Sequence, residues 1–289
     1  MPIYAPSLPP RPAVDQGLPP ALVIARFDLR RVLKQKLGRF FGFMFVGSLL
    51  LQLTMLYVKY LLNTSAALRG VKDFANQVLT QGPEFHAGIL TMSGWLTSLL
   101  WFQVALIGGG LVARDSLYRI RPLMYAHPVR PVDYLAAKGL FAVGLPFIIL
   151  LPFVFLPWGM SLLIAGNVGP VSPWAPLYLL PAALLISLLM GAVTVGASSL
   201  AASPRAGFGW VLGISLGTAA LGGLLSGLLD NPTWMAMSPQ ALVQAWPDLL
   251  CRVADPKLGW IPTVIGTLAH IALWTFVAAR RTRPSEAVL

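Results

Sequence analysis

The chain is poor in cysteine, in acidic residues and in charge of either sign. Its 289 residues include one cysteine, Cys251, and 10 acidic residues, and charged residues make up 11% of the total. A single cysteine excludes an intrachain disulfide. Soluble domains carry about 25% charged residues, so this shortfall argues against a soluble domain.

The chain also lacks the short motifs of nucleotide and metal sites. A P-loop requires a lysine directly after a glycine, and no lysine in this sequence follows one. The three histidines, His86, His127 and His270, lie in three separate segments and form no ligand cluster. We therefore expect a protein that is not an enzyme, with no metal site and no cofactor on this chain.

Long apolar runs dominate the sequence instead. Hydrophobic residues make up 56% of the chain, and about 20 helical residues are enough to cross a bilayer. The runs do not alternate in polarity as the strands of a membrane barrel do. The sequence predicts an all-α, polytopic membrane protein whose permease-like domain covers residues 39–280. Its six transmembrane helices are predicted at about 40–62, 88–112, 139–164, 175–199, 207–229 and 259–279.

The basic residues are unevenly distributed between the two predicted sides of the membrane. With the N-terminus inside, 16 of the 21 Lys and Arg residues lie on the inner side and 5 on the outer side. This asymmetry predicts a multi-pass protein of the inner or plasma membrane with both termini in the cytoplasm. The excess positive charge of +11 then faces membrane lipid, which makes nucleic acid an unlikely partner.

The two ends of the chain differ from the spans. Residues 1–20 contain seven prolines, which predicts a disordered Pro-rich tail, and residues 281–289 are expected to form a cytoplasmic tail. Residues 21–38 predict an interfacial amphipathic helix that ends where Gly38 allows a turn into the first span. One face of that helix carries Leu22, Leu29, Val32 and Leu33, and the opposite face carries Arg30, Arg31 and Lys34.

Residues 230–258 are too polar to cross the membrane and too apolar for a simple loop. Small and apolar residues recur at helical spacing between Ala241 and Leu250, which predicts a short amphipathic helix on the outer face. Trp234, Trp246 and Trp260 are expected at the level of the lipid head groups.

One alternative involves catalysis inside the membrane. Ser198 and Ser199, followed by His270 two spans later, faintly resemble the serine and histidine of rhomboid proteases. The predicted spans place the two groups at depths that differ by roughly 13 Å, too far for a serine and its base. The serines are then small residues at a helix end. His270 is either a functional group at membrane depth or a side chain bonded inside the bundle.

The fifth span carries Gly209, Gly213 and Gly217 at a spacing of four residues. Such a track lets helix backbones approach closely. It predicts a close neighbour at a dimer interface or transport pathway, either a helix of a second copy or another span of this chain.

The basic segment 113–138 separates the second and third apolar runs. Pro122 suits the first turn of a short helix, and Pro128 and Pro131 would end it. We expect a structured cytoplasmic element that exposes apolar side chains rimmed by arginines, which is typical of a docking surface.

This segment resembles the corresponding part of the ABC-2 type transporter permeases. Asp115 corresponds to the acidic residue that ends their second span, and Pro128, Tyr134, Leu135 and Lys138 match the pattern leading into their third span. Arg119-Ile120 replaces the usual Gly-Thr, and Ala137 replaces the usual glycine before the lysine. The resemblance covers roughly residues 21–280.

The resemblance implies a function. Such permeases pair with a second copy or a related permease, and each binds a separate cytoplasmic ABC ATPase, which holds the ATP and magnesium. This chain would be the permease subunit of an exporter. The alternative is a six-span membrane scaffold or assembly factor without transport activity. The coupling helix that contacts the ATPase would use Arg119, Arg121, Leu123, Met124, Tyr125 and His127.

Overall fold

The computed structural model describes residues 19–64, 87–90, 95–118, 120, 130–164 and 172–282. The regular secondary structure of these residues is helical, without a strand. The predicted Pro-rich tail up to residue 18 and the end of the tail from residue 283 lie outside the described residues. So do the six predicted coupling-helix residues, Arg119, Arg121, Leu123, Met124, Tyr125 and His127.

Nine α-helices follow one another along the described chain. They are α1 Pro20–Lys34, α2 Lys36–Thr64, α3 Trp95–Gln103, α4 Ala113–Leu117, α5 Pro131–Leu163, α6 Ala175–Leu200, α7 Pro204–Leu228, α8 Pro239–Leu250 and α9 Trp260–Thr282. Val104–Gly108 extends α3 as a π-helix, and Pro232–Met237 forms a 3₁₀-helix before α8.

Six helical segments are long and apolar enough to cross a membrane, as the sequence predicts. The first span is α2, the second covers Ala87–Leu117, and the third to sixth are α5, α6, α7 and α9. The fourth span, α6, is the central helix, and it packs against α5, α7, α8 and α9. The main core lies around its Leu179, Ile186 and Met190, all of which are fully buried.

The chain turns between α1 and α2 at Gln35, three residues before the predicted turn at Gly38. Gln35 has an extended backbone, and α2 begins at the next residue. Gly38 has a different role in the first turn of α2, because a Cβ there would collide with the carbonyl group of Val32. The glycine therefore allows the two helices to approach closely.

The third span begins at Pro131, eight residues before its predicted start at 139. Pro131 occupies the first helical turn, where its missing N–H costs nothing, and Asp133 accepts a hydrogen bond from the backbone of Arg130 at 3.3 Å. Lys138 consequently lies within α5 and is 2% exposed. This lysine was predicted to lie before the third span, in the basic segment 113–138, so the predicted start of the span was wrong.

The predicted outer helix exists as α8, but it packs into the bundle. Leu242, Val243 and Leu249 are buried against the spans. The Trp246 indole N–H donates to Thr267 Oγ1 of α9 at 3.0 Å, so this side chain is buried and bonded within the chain. Trp234 and Trp260 are exposed.

The fifth and sixth spans are the least covered. In each, 17% of the apolar stretch is buried, against 67% in the fourth span. Their exposed side chains are large and apolar, among them Trp210, Leu216, Leu268 and Phe276. A membrane-spanning surface of this kind requires lipid or another helix beside it.

Candidate functional site

A buried ionic cluster joins three elements that are distant in sequence. Lys138 Nζ of α5 lies 2.8 Å from Asp28 Oδ2 of α1 and 2.9 Å from Asp115 Oδ2 of α4. All three residues are buried. Because a charge is costly to bury without a partner, these two ion pairs hold α1 against the end of the second span and the start of the third.

Tyr134 completes this group, which we call the junction cluster: Asp28, Asp115, Tyr134 and Lys138. The Tyr134 hydroxyl donates to Asp115 Oδ2 at 2.9 Å, and Lys138 Nζ lies 5.5 Å from the centre of the Tyr134 ring. Tyr134 and Lys138 are four positions apart on α5 and therefore share a face. Burial raises the pKa of Asp28 above its ordinary value, although the nearby Lys138 ammonium group favours the ionised form.

Apolar side chains enclose the junction cluster. Ala25 and Val32 of α1 pack together with Val112, Phe141 of α5 and Ala278 of α9 in one buried cluster. Asp28 lies between Ala25 and Val32 on the same face of α1, so α1 is attached by both apolar contacts and ion pairs.

The second span is broken just before it reaches the junction cluster. The π-helix ends at Gly108, residues 109–112 form turns, and a new α-helix begins at Ala113. Ser198 of α6 bonds the broken backbone: its Oγ accepts from Val112 N at 2.9 Å and Ala113 N at 3.2 Å and donates to Gly109 O at 2.8 Å. One hydroxyl group thus uses its donor and both acceptor positions.

The break also allows a close crossing of two backbones. A Cβ on Gly109 would lie 2.6 Å from Phe208 N, and a Cβ on Gly207 would lie 2.6 Å from Gly109 C. Both distances are too short for real side chains. The first turn of α7 therefore packs directly on the broken backbone of the second span.

We expect Ser198→Ala to destabilise the protein by about 1–3 kcal/mol, the cost of leaving buried backbone groups without partners. The matched control is Ser199→Ala, because among the described residues the Ser199 hydroxyl bonds only to Gly196 O of its own helix, at 2.6 Å. Denaturation of both variants by SDS titration measures the difference. Equal stability of the two variants would show that Ser198 does not support the break.

Ser198 and His270 have different partners. His270 Nε2 lies 3.1 Å from Met237 O in the segment before α8, and its Nδ1 has no hydrogen-bond partner in the described part of the protein. His270 is half-buried and contacts the backbone of the segment before α8. The Ser198 hydroxyl bonds backbone groups of the second span and not His270.

The described part of the chain offers few other reactive or metal-binding groups. Burial raises the pKa of Cys251 to about 12, so its thiol is protonated at neutral pH. No group of three or more His, Cys, Asp or Glu side chains in the described ranges is placed to hold a metal ion.

The predicted glycine track lies on an open face of α7. Gly209, Gly213 and Gly217 have no described atom within 4 Å of an added Cβ. Among the described residues, no span of this chain covers them. The structure does not bring this track to the junction cluster.

Asp115, Tyr134 and Lys138 were identifiable from the sequence, whereas Asp28 and the role of Ser198 were not predicted. Asp28 is the one acidic residue among the basic residues of α1, and it shares a face with Ala25 and Val32. That isolated carboxylate was a readable signal for a buried lysine partner. The three consecutive glycines at 108–110 similarly marked the break, but nothing in the sequence paired it with Ser198.

No protein-family model matches this chain, and no curated protein matches it either.

Proposed function

We propose that this protein is the permease subunit of an ATP-binding cassette transporter, an exporter driven by a separate cytoplasmic ATPase subunit. One observation carries the proposal. Asp115, Tyr134 and Lys138, three of the residues on which the resemblance to ABC-2 permeases rests, contact one another in the junction cluster. The junction cluster holds together the two ends of the segment that would contain the coupling helix. Asp115 precedes that segment, and Tyr134 and Lys138 follow it.

The geometry suits the transmission of force. Residues 119–129 connect α4 to α5, and the junction cluster ties both helices to α1. A push on this connection would therefore reach the second and third spans and α1 together. The broken backbone at 109–112 lies directly next to α4, where a change of angle between the two parts of the second span would occur.

The test is copurification from the native host in mild detergent. The tagged chain is expected to retain a P-loop ATPase that has no spans of its own, and the reconstituted complex is expected to hydrolyse ATP. A six-span scaffold is the alternative function. Recovery of other partners without any ATPase, under conditions that preserve the fold, would favour the scaffold.

We predict that Tyr125→Ala weakens docking of the ATPase by about 1–3 kcal/mol, because apolar anchors carry most of the energy of such contacts. Arg121→Ala is the control, since an exposed rim charge contributes about 0–1 kcal/mol. Complex recovery and ATPase stimulation are measured for both variants in one detergent. If both variants match the unmodified protein, residues 119–129 do not form the ATPase contact.

A second copy is the proposed neighbour of the glycine track on α7. Gly213→Leu is expected to weaken self-association at least about tenfold, because a leucine keeps two helix backbones apart. Single-molecule photobleaching in liposomes measures the dimer fraction across protein densities. Leu212→Ile, a substitution at a position that packs against the core of the same chain, is the control for insertion and folding. An unchanged dimer would assign the track to lipid contact.

A further inference from the structure

A small cavity lies beside the junction cluster, between α1, the second span and α5. Its volume is about 40 Å³, and it is partly open to the surface. Its polar lining consists of Arg31 of α1, Gln35 between α1 and α2, Arg114 of α4, and the carboxylates of Asp28 and Asp115. Its apolar side includes Val32, Leu111 and Phe141.

The charges around this cavity do not balance. Lys138 pairs with both Asp28 and Asp115, and Arg31 and Arg114 form no ion pair with any described residue. Three cationic and two anionic side chains therefore meet here, with a surplus of one positive charge. The guanidinium groups of Arg31 and Arg114 both line the cavity, and together they provide several N–H donors for the oxygens of a single anion.

The volume and the surroundings of the cavity restrict which anion fits. A cavity of about 40 Å³ takes a phosphate group but not an acyl chain. A free phosphate ion would use only the arginines. A phospholipid would place its phosphate at the arginines and its acyl chains outside the cavity, against the exposed apolar side chains of α1. The small volume excludes the insertion of a helix or strand from a partner protein.

The surface next to the cavity is also suited to lipid. On α1, Val23, Phe27 and Leu33 are exposed, and Phe27 is 67% exposed. Arg30 and Lys34 are exposed on the same helix. Exposed apolar and basic side chains on one short helix are typical of a helix that lies in the head-group region.

We propose that Arg31 and Arg114 bind the phosphate of an anionic phospholipid, in the leaflet that faces this end of the spans. The single surplus charge matches a phosphodiester whose head group carries no cation, such as that of phosphatidylglycerol. Basic pockets between helices at a membrane surface are a recognised form of lipid site. The inference concerns binding alone and does not depend on transport or on an ATPase.

Native mass spectrometry of the purified full chain tests this site. The probes are dioleoyl-phosphatidylglycerol and dioleoyl-phosphatidylcholine, added separately to the delipidated protein in detergent. The unmodified protein is expected to retain phosphatidylglycerol at least about fivefold better than phosphatidylcholine. The double variant Arg31→Gln/Arg114→Gln is expected to lose that preference.

Arg30→Gln/Lys34→Gln is the matched control, because it removes the same two positive charges at exposed positions of α1 that do not line the cavity. It is expected to keep the preference. Equal loss in this control and in the Arg31→Gln/Arg114→Gln variant would overturn the proposal, since it would indicate general attraction to a basic surface. Equal retention of the two lipids by the unmodified protein would overturn it as well.

Two further arms complete the test. Inorganic phosphate and glycerol 3-phosphate are added as competitors, and neither is expected to displace the lipid at equal concentration. Displacement by either one would overturn the assignment to a lipid. If the Arg31→Gln/Arg114→Gln variant does not fold, Arg31→Gln alone is used, because Arg31 is exposed and its loss leaves the junction cluster intact. Unchanged lipid preference in that variant would then count against the site.

Discussion

Replacement of Lys138 by methionine is expected to destabilise the protein by about 3–5 kcal/mol, because it leaves two buried carboxylates without their shared cation. Methionine keeps most of the length of the unbranched side chain and removes the ammonium group. Denaturation by SDS titration measures the loss of stability. Tryptic cleavage after Arg26 and Arg30 of α1 is expected to become faster, since Asp28 would no longer bind α1 to α5.

Two variants separate the ion pairs from general effects of the substitution. Lys34→Met removes a lysine from an exposed position of α1 and is expected to change stability by less than about 0.5 kcal/mol. The triple variant Asp28→Asn/Asp115→Asn/Lys138→Met is expected to recover most of the stability, because no buried carboxylate is left without its cation. A Lys138→Met protein as stable as the unmodified one would show that the cluster is not ionised in the fold.

The second large effect is expected at the backbone crossing of the second and fifth spans. Gly207→Ala should cost at least about 3 kcal/mol, the upper end of overpacking penalties, because the new Cβ meets the backbone of Gly109. Backbone atoms cannot rotate away as a flexible side chain does. The same SDS titration measures this loss.

Gly223→Ala, outside the proposed dimer contact, is the control for this prediction. It lies on the same helix, and an added Cβ meets no described atom within 4 Å. Helix propensity alone favours alanine over glycine by about 0.8–1.0 kcal/mol, so this variant is expected to be slightly more stable. Similar losses from the two substitutions would show that the crossing at Gly207 is less tight than the structure indicates.

Local features of the fold could be predicted because their causes are local. The six spans follow from the length of the apolar runs. A helix was also predicted at residues 21–38, but its predicted apolar face was partly wrong, because Leu22 and Leu33 are exposed and the buried face carries Ala25, Asp28 and Val32. The start of α7 is similarly local: Ser203 accepts a hydrogen bond from Ala206 N, and Pro204 occupies the first turn. These determinants act over one or two turns, so the sequence is sufficient to read them.

Features that depend on distant partners could not be read in the same way. Lys138 was expected in a loop because a lysine inside a span is costly, and only Asp28 and Asp115 make its burial possible. The turn lies at Gln35, and Gly38 instead gives the backbone of Val32 room beside α2. Likewise α8 packs into the bundle by burying Leu242, Val243 and Leu249, and Trp246 donates a hydrogen bond to Thr267.

The sequence by itself determined that this is a helical membrane protein with six spans, and which residues flank the basic segment at 113–138. The tertiary structure decided that α1 is attached through Asp28, that the second span breaks at 109–112, and that the glycine track on α7 stays open. The reason is the sequence distance of the contacts: Asp28 meets Lys138 across 110 residues, and Gly109 meets Ser198 across 89. Periodicity and composition describe one helix at a time, whereas these contacts exist only after the helices have packed.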